Sequence, residues 1–166
     1  IVVSGEFQDT DPLLSDTRLD EARDMAKLYP LFYILENSIR EFIRRVIDGT
    51  HGKSWWDTEA PRKIRDRIQE RMADDQKHAW HQRRGSHPID YLDLNQLPDL
   101  VRKTQGDFIS DLLPSLEWFT QFVDEVYQSR CVVCHMNPLD KDNIQAVKVR
   151  LRQWQKLVSE KKSQLP

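Results

Sequence analysis

The sequence predicts an all-α fold, an up-and-down helical bundle of four to five principal helices, on three observations. Apolar residues recur every three or four positions through several long segments, the spacing of one helix face. Glycine and proline fall mostly between those segments. The alternation of a half-buried strand is missing, as are repeats and low-complexity tracts.

The first helix is expected from Asp16, an N-cap candidate, to about Tyr29, where Pro30 either kinks the chain or opens a new helix. The strongest helix runs from Leu31 to Asp48. Leu35, Ile39, Phe42, Ile43 and Val46 form its apolar stripe, Glu36, Asn37, Arg40, Glu41, Arg44 and Arg45 fill its other side, and Gly49 and Gly52 bracket its end. A third helix is expected to begin near Thr58, take Pro61 into its first turn and reach about His81, with Ile64, Ile68 and Met72 on one face. After the break at Gly85-Ser86-His87-Pro88, Ile89 to Leu94 reads as extended or irregular, and Asn95 to Thr104 as a short helix entered near Pro98. Pro114 to about Cys134 forms the next long helix, with Phe119, Phe122, Val123 and Val126 as its stripe, closed by Pro138. The last starts at Asp140 or Asp142 and carries Ile144, Val147, Leu151, Trp154 and Val158.

The 166 residues suit one domain with tails: a disordered or expression-derived stretch over 1–15, a domain over 16–162 and a tail over 163–166. Ile1 to Phe7 has neither the charge nor the apolar run of a signal peptide, and the natural chain is expected to be longer, with further domains attached. A hydrophobic share of 39% with 31% charged residues excludes a disordered tract. No apolar run approaches the roughly 20 residues that cross a bilayer, so no membrane partner is expected. A net charge of −2 excludes a uniformly basic nucleic-acid coat, though not a local patch. Two cysteines three positions apart cannot staple a fold, which points to an intracellular protein, cytoplasmic or, in a eukaryote, nuclear.

Residues 127–138 carry the chemistry and support three readings. Cys131-x-x-Cys134-His135 has the spacing of a covalent c-type haem site, a distant third reading because such attachment requires export. The same cysteines could join a metal site with His78 and His81, but a closed zinc site needs four ligands and no second cysteine pair exists. Small hydrophobes packed on a helix are the commoner fate of free cysteines, and no metal or cofactor is expected. The third reading takes Arg130 and His135. Arg130 follows Val126 by four residues and Tyr127 by three, so a permanent charge projects from an apolar stripe and needs a partner or a cleft. His135 lies five positions on, about 140° around an ideal helix, so the two converge only if the helix ends near Cys134 or if they meet across a two-fold axis.

Arg130-x4-His135, followed by Met136-Asn137-Pro138-Leu139 and an amphipathic helix bearing Trp154, resembles the signature of the HEPN superfamily (higher eukaryotes and prokaryotes nucleotide-binding). The nearest resemblance is to the type appended to PIN-domain RNA-surveillance endonucleases and prokaryotic defence proteins. The run from Tyr29 to Ile43 resembles that group's early helix, which carries an acidic residue and an arginine, and the likeness extends over roughly 28–158.

The resemblance implies a HEPN-like helical domain that forms homodimers, with the two Arg/His motifs facing across the interface. It also implies metal-independent endoribonuclease activity in many members, others being inactive modules that dimerise or bind RNA. One departure stands out: the residue after the arginine is often asparagine and here is Cys131, a weak hydrogen-bonding group. In the ribonuclease reading the RNA 2′-OH attacks the neighbouring phosphate, leaving a 2′,3′-cyclic phosphate and a 5′-OH. His135 transfers protons near neutral pH and Arg130 stabilises the phosphate charge. Glu36 and Arg40 are i and i+4 on their helix. Either they form an exposed pair worth a few tenths of a kcal/mol, or, as the family implies, Glu36 orients Arg130 or takes part in proton transfer. Arg40 and Asn137 are expected to contact the RNA.

Eight basic residues between Arg62 and Arg84 face four acids. By default this is a solvated helix face. With Trp55, Trp56 and Trp80 and with His78, His81 and His87, it could instead stack and bind single-stranded RNA through Arg62, Arg65, Lys77, Arg83 and Arg84.

Overall fold

The computed structural model describes residues 10–109 and 111–165; the first nine residues of the expected tail, and the last residue of the chain, lie outside the described residues. No strand occurs among them, and the bundle is all-α.

Helix α1 spans Asp16–Ala26, with Ser15 rather than Asp16 as its N-cap. Pro30 opens a second helix instead of kinking the first: α2 runs Tyr29–His51 with proline in its first turn, where the missing N–H costs nothing. Gly49 lies inside α2 and does not bracket its end. Gly52 closes it in a positive-φ conformation (77°) that only glycine adopts cheaply, its N–H bonded to Asp48 O at 3.0 Å.

The expected third helix is α4 (Arg62–Lys77), shorter at both ends because Pro61 caps it from outside rather than joining its first turn and it stops before His81; a four-residue helix, α3 (Trp55–Thr58), precedes it. The segment after Gly85 folds into two short 3₁₀ turns, Pro88–Tyr91 and Leu94–Gln96, whose Ile89, Tyr91 and Leu94 are buried. Asp90 ties the first turn down by accepting the Ser86 and His87 N–H groups at 3.0 and 2.9 Å. A side chain at Gly85 would fall 2.3 Å from Asp90, so the approach requires glycine.

Helices α5 (Leu97–Lys103) and α6 (Gly106–Ile109) lead to α7 (Leu116–Cys134) and α8 (Lys141–Lys161). Ser115 caps α7 by accepting the Trp118 N–H at 3.0 Å, and Asp140 caps α8 by accepting Asn143 N–H at 2.8 Å. Arg150 pairs with Glu125, residues equidistant from the connecting turn, so α7 and α8 form an antiparallel hairpin.

The hairpin packs on α2 through Trp154, which is fully buried. Its ring meets Phe42 edge-on at 5.2 Å and Phe122 at 5.8 Å, and its indole N–H donates to Ser38 Oγ at 2.9 Å. Trp118 is only half-buried and stacks on Phe122 at 5.2 Å.

This arrangement predicts two distinct losses in urea unfolding. Trp154→Ala costs about 3–5 kcal/mol through the cavity it opens. Ser38→Ala costs about 1–3 kcal/mol because the buried indole N–H loses its acceptor.

Candidate functional site

The spacing on α2 and α7 builds the site. Tyr29, Tyr33, Glu36 and Arg40 are separated by four, three and four residues, one stripe along the flank of α2. Tyr127, Arg130 and Cys134 follow the same rule on α7. The stripes join where Arg130 Nε meets Glu36 Oε2 at 2.8 Å. On its other oxygen Glu36 accepts Arg40 at 2.5 Å, and Arg40 also donates to Leu92 O at 2.8 Å.

The Glu36–Arg40 pair is therefore buried, with side chains 10% and 13% exposed, and the surface-pair account of it is corrected. Arg40 Nε is buried without an acceptor. Arg40 thus stands behind Glu36, where its visible work is to hold the carboxylate; it does not present a free guanidinium for RNA.

Arg130 is more accessible, 30% exposed. Burial disfavours its charge, but Glu36, with help from Cys134 and Asp93, outweighs this and holds the guanidinium above its ordinary range. Asp93 is fixed in turn by Arg71, which donates to Tyr91 O at 2.6 Å and to Asp93 Oδ2 at 2.7 Å. Sequence reasoning missed this strut, since nothing in the basic run distinguishes an arginine with a partner twenty residues away. Tyr127 also went unassigned. Its hydroxyl is pushed up chiefly by hydrogen bonding and charge at Cys131, then by burial, so it stays protonated at neutral pH.

His135 lies just past the end of α7 and is exposed. The end is a two-bond αL cap: Asn137 N–H bonds to Val132 O at 3.1 Å and Met136 N–H to Val133 O at 2.9 Å. Met136 takes the positive φ (59°) usually given to glycine there. The helix ends where the sequence places it, and the exposed His135 ring makes no hydrogen bond, ion pair or ring contact among the described residues. Exposed Asn137 donates to His135 O at 3.0 Å.

Cys131 is half-buried and Cys134 exposed, both free, so the pair is not simply core filling. No three His, Cys, Asp or Glu residues are grouped to hold a metal among the described residues, and His78 and His81 do not complete a site with the cysteines.

The tryptophan–histidine surface is corrected in part. Trp55 is fully buried, its indole N–H donating to Asp48 at 2.7 Å, and cannot stack a base. His87 is half-buried, its ring 5.7 Å from that of Trp55, and its Nδ1 accepts the Ile89 N–H at 3.2 Å. Trp80 is open, 82% exposed, with His78 and His81 edge-on to it. Arg62, Lys77, Arg83 and Arg84 are exposed and Arg65 is half-buried; Arg62, Lys77 and Arg84 have acidic neighbours at 3.6–3.9 Å.

An all-α bundle with a buried acid–arginine pair on an early helix, joined to an Arg-x4-His motif at the end of a later one, defines a HEPN-type domain. The chain belongs to the Swt1-like HEPN family, whose sequence model matches residues 31–159. No curated protein and no solved structure matches it. No helix is long and apolar enough to cross a membrane among the described residues.

Two stability tests follow. Glu36→Ala leaves two arginines facing each other in a half-buried site and costs about 3–5 kcal/mol in urea unfolding. Burial holds the His87 pKa below its ordinary 6.5, only partly offset by Asp90. The native state therefore prefers neutral His87, and its contribution is complete above about pH 6.5 and lost as pH falls toward the depressed value. The urea midpoint of the wild type should drop more between pH 7.5 and pH 5.5 than that of His87→Asn.

Proposed function

We propose that this HEPN domain is a metal-independent endoribonuclease acting as a homodimer, with Arg130 and His135 catalytic and Glu36 positioning Arg130. One observation carries the reading: a buried carboxylate on α2 clamps an arginine of α7 that remains 30% exposed, one turn before an exposed histidine at a helix end.

The chemistry follows from what RNA supplies. His135 takes the proton of the 2′-OH as its oxygen attacks the adjacent phosphorus. The bond to the 5′-oxygen breaks, that oxygen takes a proton from water, and His135 returns its own proton to solvent. The products are a 2′,3′-cyclic phosphate and a 5′-OH. Arg130 faces the charge that builds on the non-bridging oxygens, with its direction fixed beforehand by Glu36. A second copy supplies the facing Arg/His motif, as the HEPN resemblance implies. Asn137 and the basic residues Arg62, Arg65, Lys77, Arg83 and Arg84 guide the strand, and the domain serves a longer chain.

Single-stranded RNA incubated with the protein in EDTA should be cut to cyclic-phosphate ends, and His135→Ala should lower the rate at least about a hundredfold. Equal cleavage by both proteins would refute the assignment. Binding without cleavage by the wild type would make the domain a non-catalytic RNA-binding module.

A further inference from the structure

We infer that Tyr29 and Tyr33 form a stacking platform for an unpaired nucleobase beside the phosphate held by Arg130. This rests on the ribonuclease reading and adds to it a residue pair with no part in proton transfer.

The two rings are the most exposed aromatic pair on α2, at 66% and 57%. Their centroids lie 5.8 Å apart at 33°, so each ring supports the other and keeps a face toward solvent. They continue the stripe of Glu36 and Arg40, Tyr33 one turn and Tyr29 two turns before the carboxylate that holds Arg130. The end of α7 reaches the same end of the bundle: Leu139 N–H lies 3.2 Å from Met25 Sδ, four residues before Tyr29. The platform and the Arg130–His135 segment therefore share one end of the α2–α7 flank.

The same flank carries charge. Exposed Asn37 follows Tyr33 by one turn, and Ile34 beside it is also open at 47%. Glu36 carries one negative charge against the two positive charges of Arg40 and Arg130. The flank thus offers a cation for a phosphate and flat rings for the adjoining base, the two contacts that single-strand binders combine. A base inside a duplex presents no free face, so the platform selects unpaired RNA.

The test uses a fluorescein-labelled, fully 2′-O-methylated single-stranded RNA, which binds without being cut, and the same strand annealed to its complement. Tyr29→Ala/Tyr33→Ala should weaken single-strand binding by about tenfold or more, with little change on the duplex. Tyr29→Phe/Tyr33→Phe should bind as the wild type does. On cleavable RNA the alanine pair should raise KM and leave kcat nearly unchanged. Unchanged binding by the alanine pair, equal loss on both probes, or loss of the dimer in sedimentation would overturn the platform; the last outcome would make the rings a contact between copies. Selective loss of single-strand binding in a protein that cuts no RNA would support the platform and refute the nuclease reading. Unaltered binding in an active enzyme would do the reverse.

Discussion

The candidate site depends on one carboxylate shared by two guanidiniums. Glu36 takes Arg40 on one oxygen and Arg130 on the other, and all three side chains are largely withdrawn from water. Such an arrangement is costly, since a buried charge gains its partner only after losing its solvent. It repays this cost in direction more than in stability. Arg40 is fixed a second time by Leu92 O, so the carboxylate is presented to α7 in one orientation, and Arg130 has little freedom left. The cluster keeps one unbalanced positive charge, which suits it to receive an anion.

That geometry relies on parts of the chain far from either motif. The Leu92 carbonyl and Asp93 belong to the 3₁₀ segment after Gly85, held by Asp90 from one side and by Arg71 of α4 from the other. The α7–α8 hairpin is set against α2 by Trp154, whose N–H reaches Ser38 two positions along from Glu36. A packing contact and a charge contact thus fix the same stretch of α2 on two sides. This explains how a site that spans the chain from residue 36 to residue 135 can be held at one place.

The sequence was most legible where periodicity runs long. The stripes of α2, α7 and α8 follow from spacing alone, and the charge of Arg130 on an apolar face already demands a partner. That the partner is Glu36 came from the family resemblance, because spacing within one helix cannot identify a contact made by another. Short elements hid the rest. Helix α3 has four residues, too few for a period, so nothing in Trp55-Trp56 distinguishes the buried indole from the half-buried one. The acceptor that buries Trp55 is Asp48, seven residues back across a glycine-capped helix end. The basic run likewise counts charges without pairing them, so Arg71, a strut to Asp93, read like its solvated neighbours. The stripe from Tyr29 to Arg40 was readable by counting, but its importance depends on the two tyrosines staying exposed, which sequence does not reveal.

The end of α7 is shaped by one residue in a strained backbone conformation. Pro138 prevents the helix from continuing far, but the stop is made earlier, by the backbone bonds from Met136 and Asn137. Placing methionine rather than glycine at the positive-φ position costs about 1 kcal/mol. The Met136 side chain recovers none of this by burial, since it is 86% exposed. The turn is kept by what flanks it: Val133 packs on the core before it, and buried Leu139 anchors the chain beside Met25 after it. Between these fixed points the backbone leaves the helical path at His135. Arg130 therefore remains bound to Glu36 on the rigid face while the imidazole stands free at the surface. In the proposed ribonuclease, that freedom serves His135 as proton carrier, and the fixed position serves Arg130 as charge stabiliser.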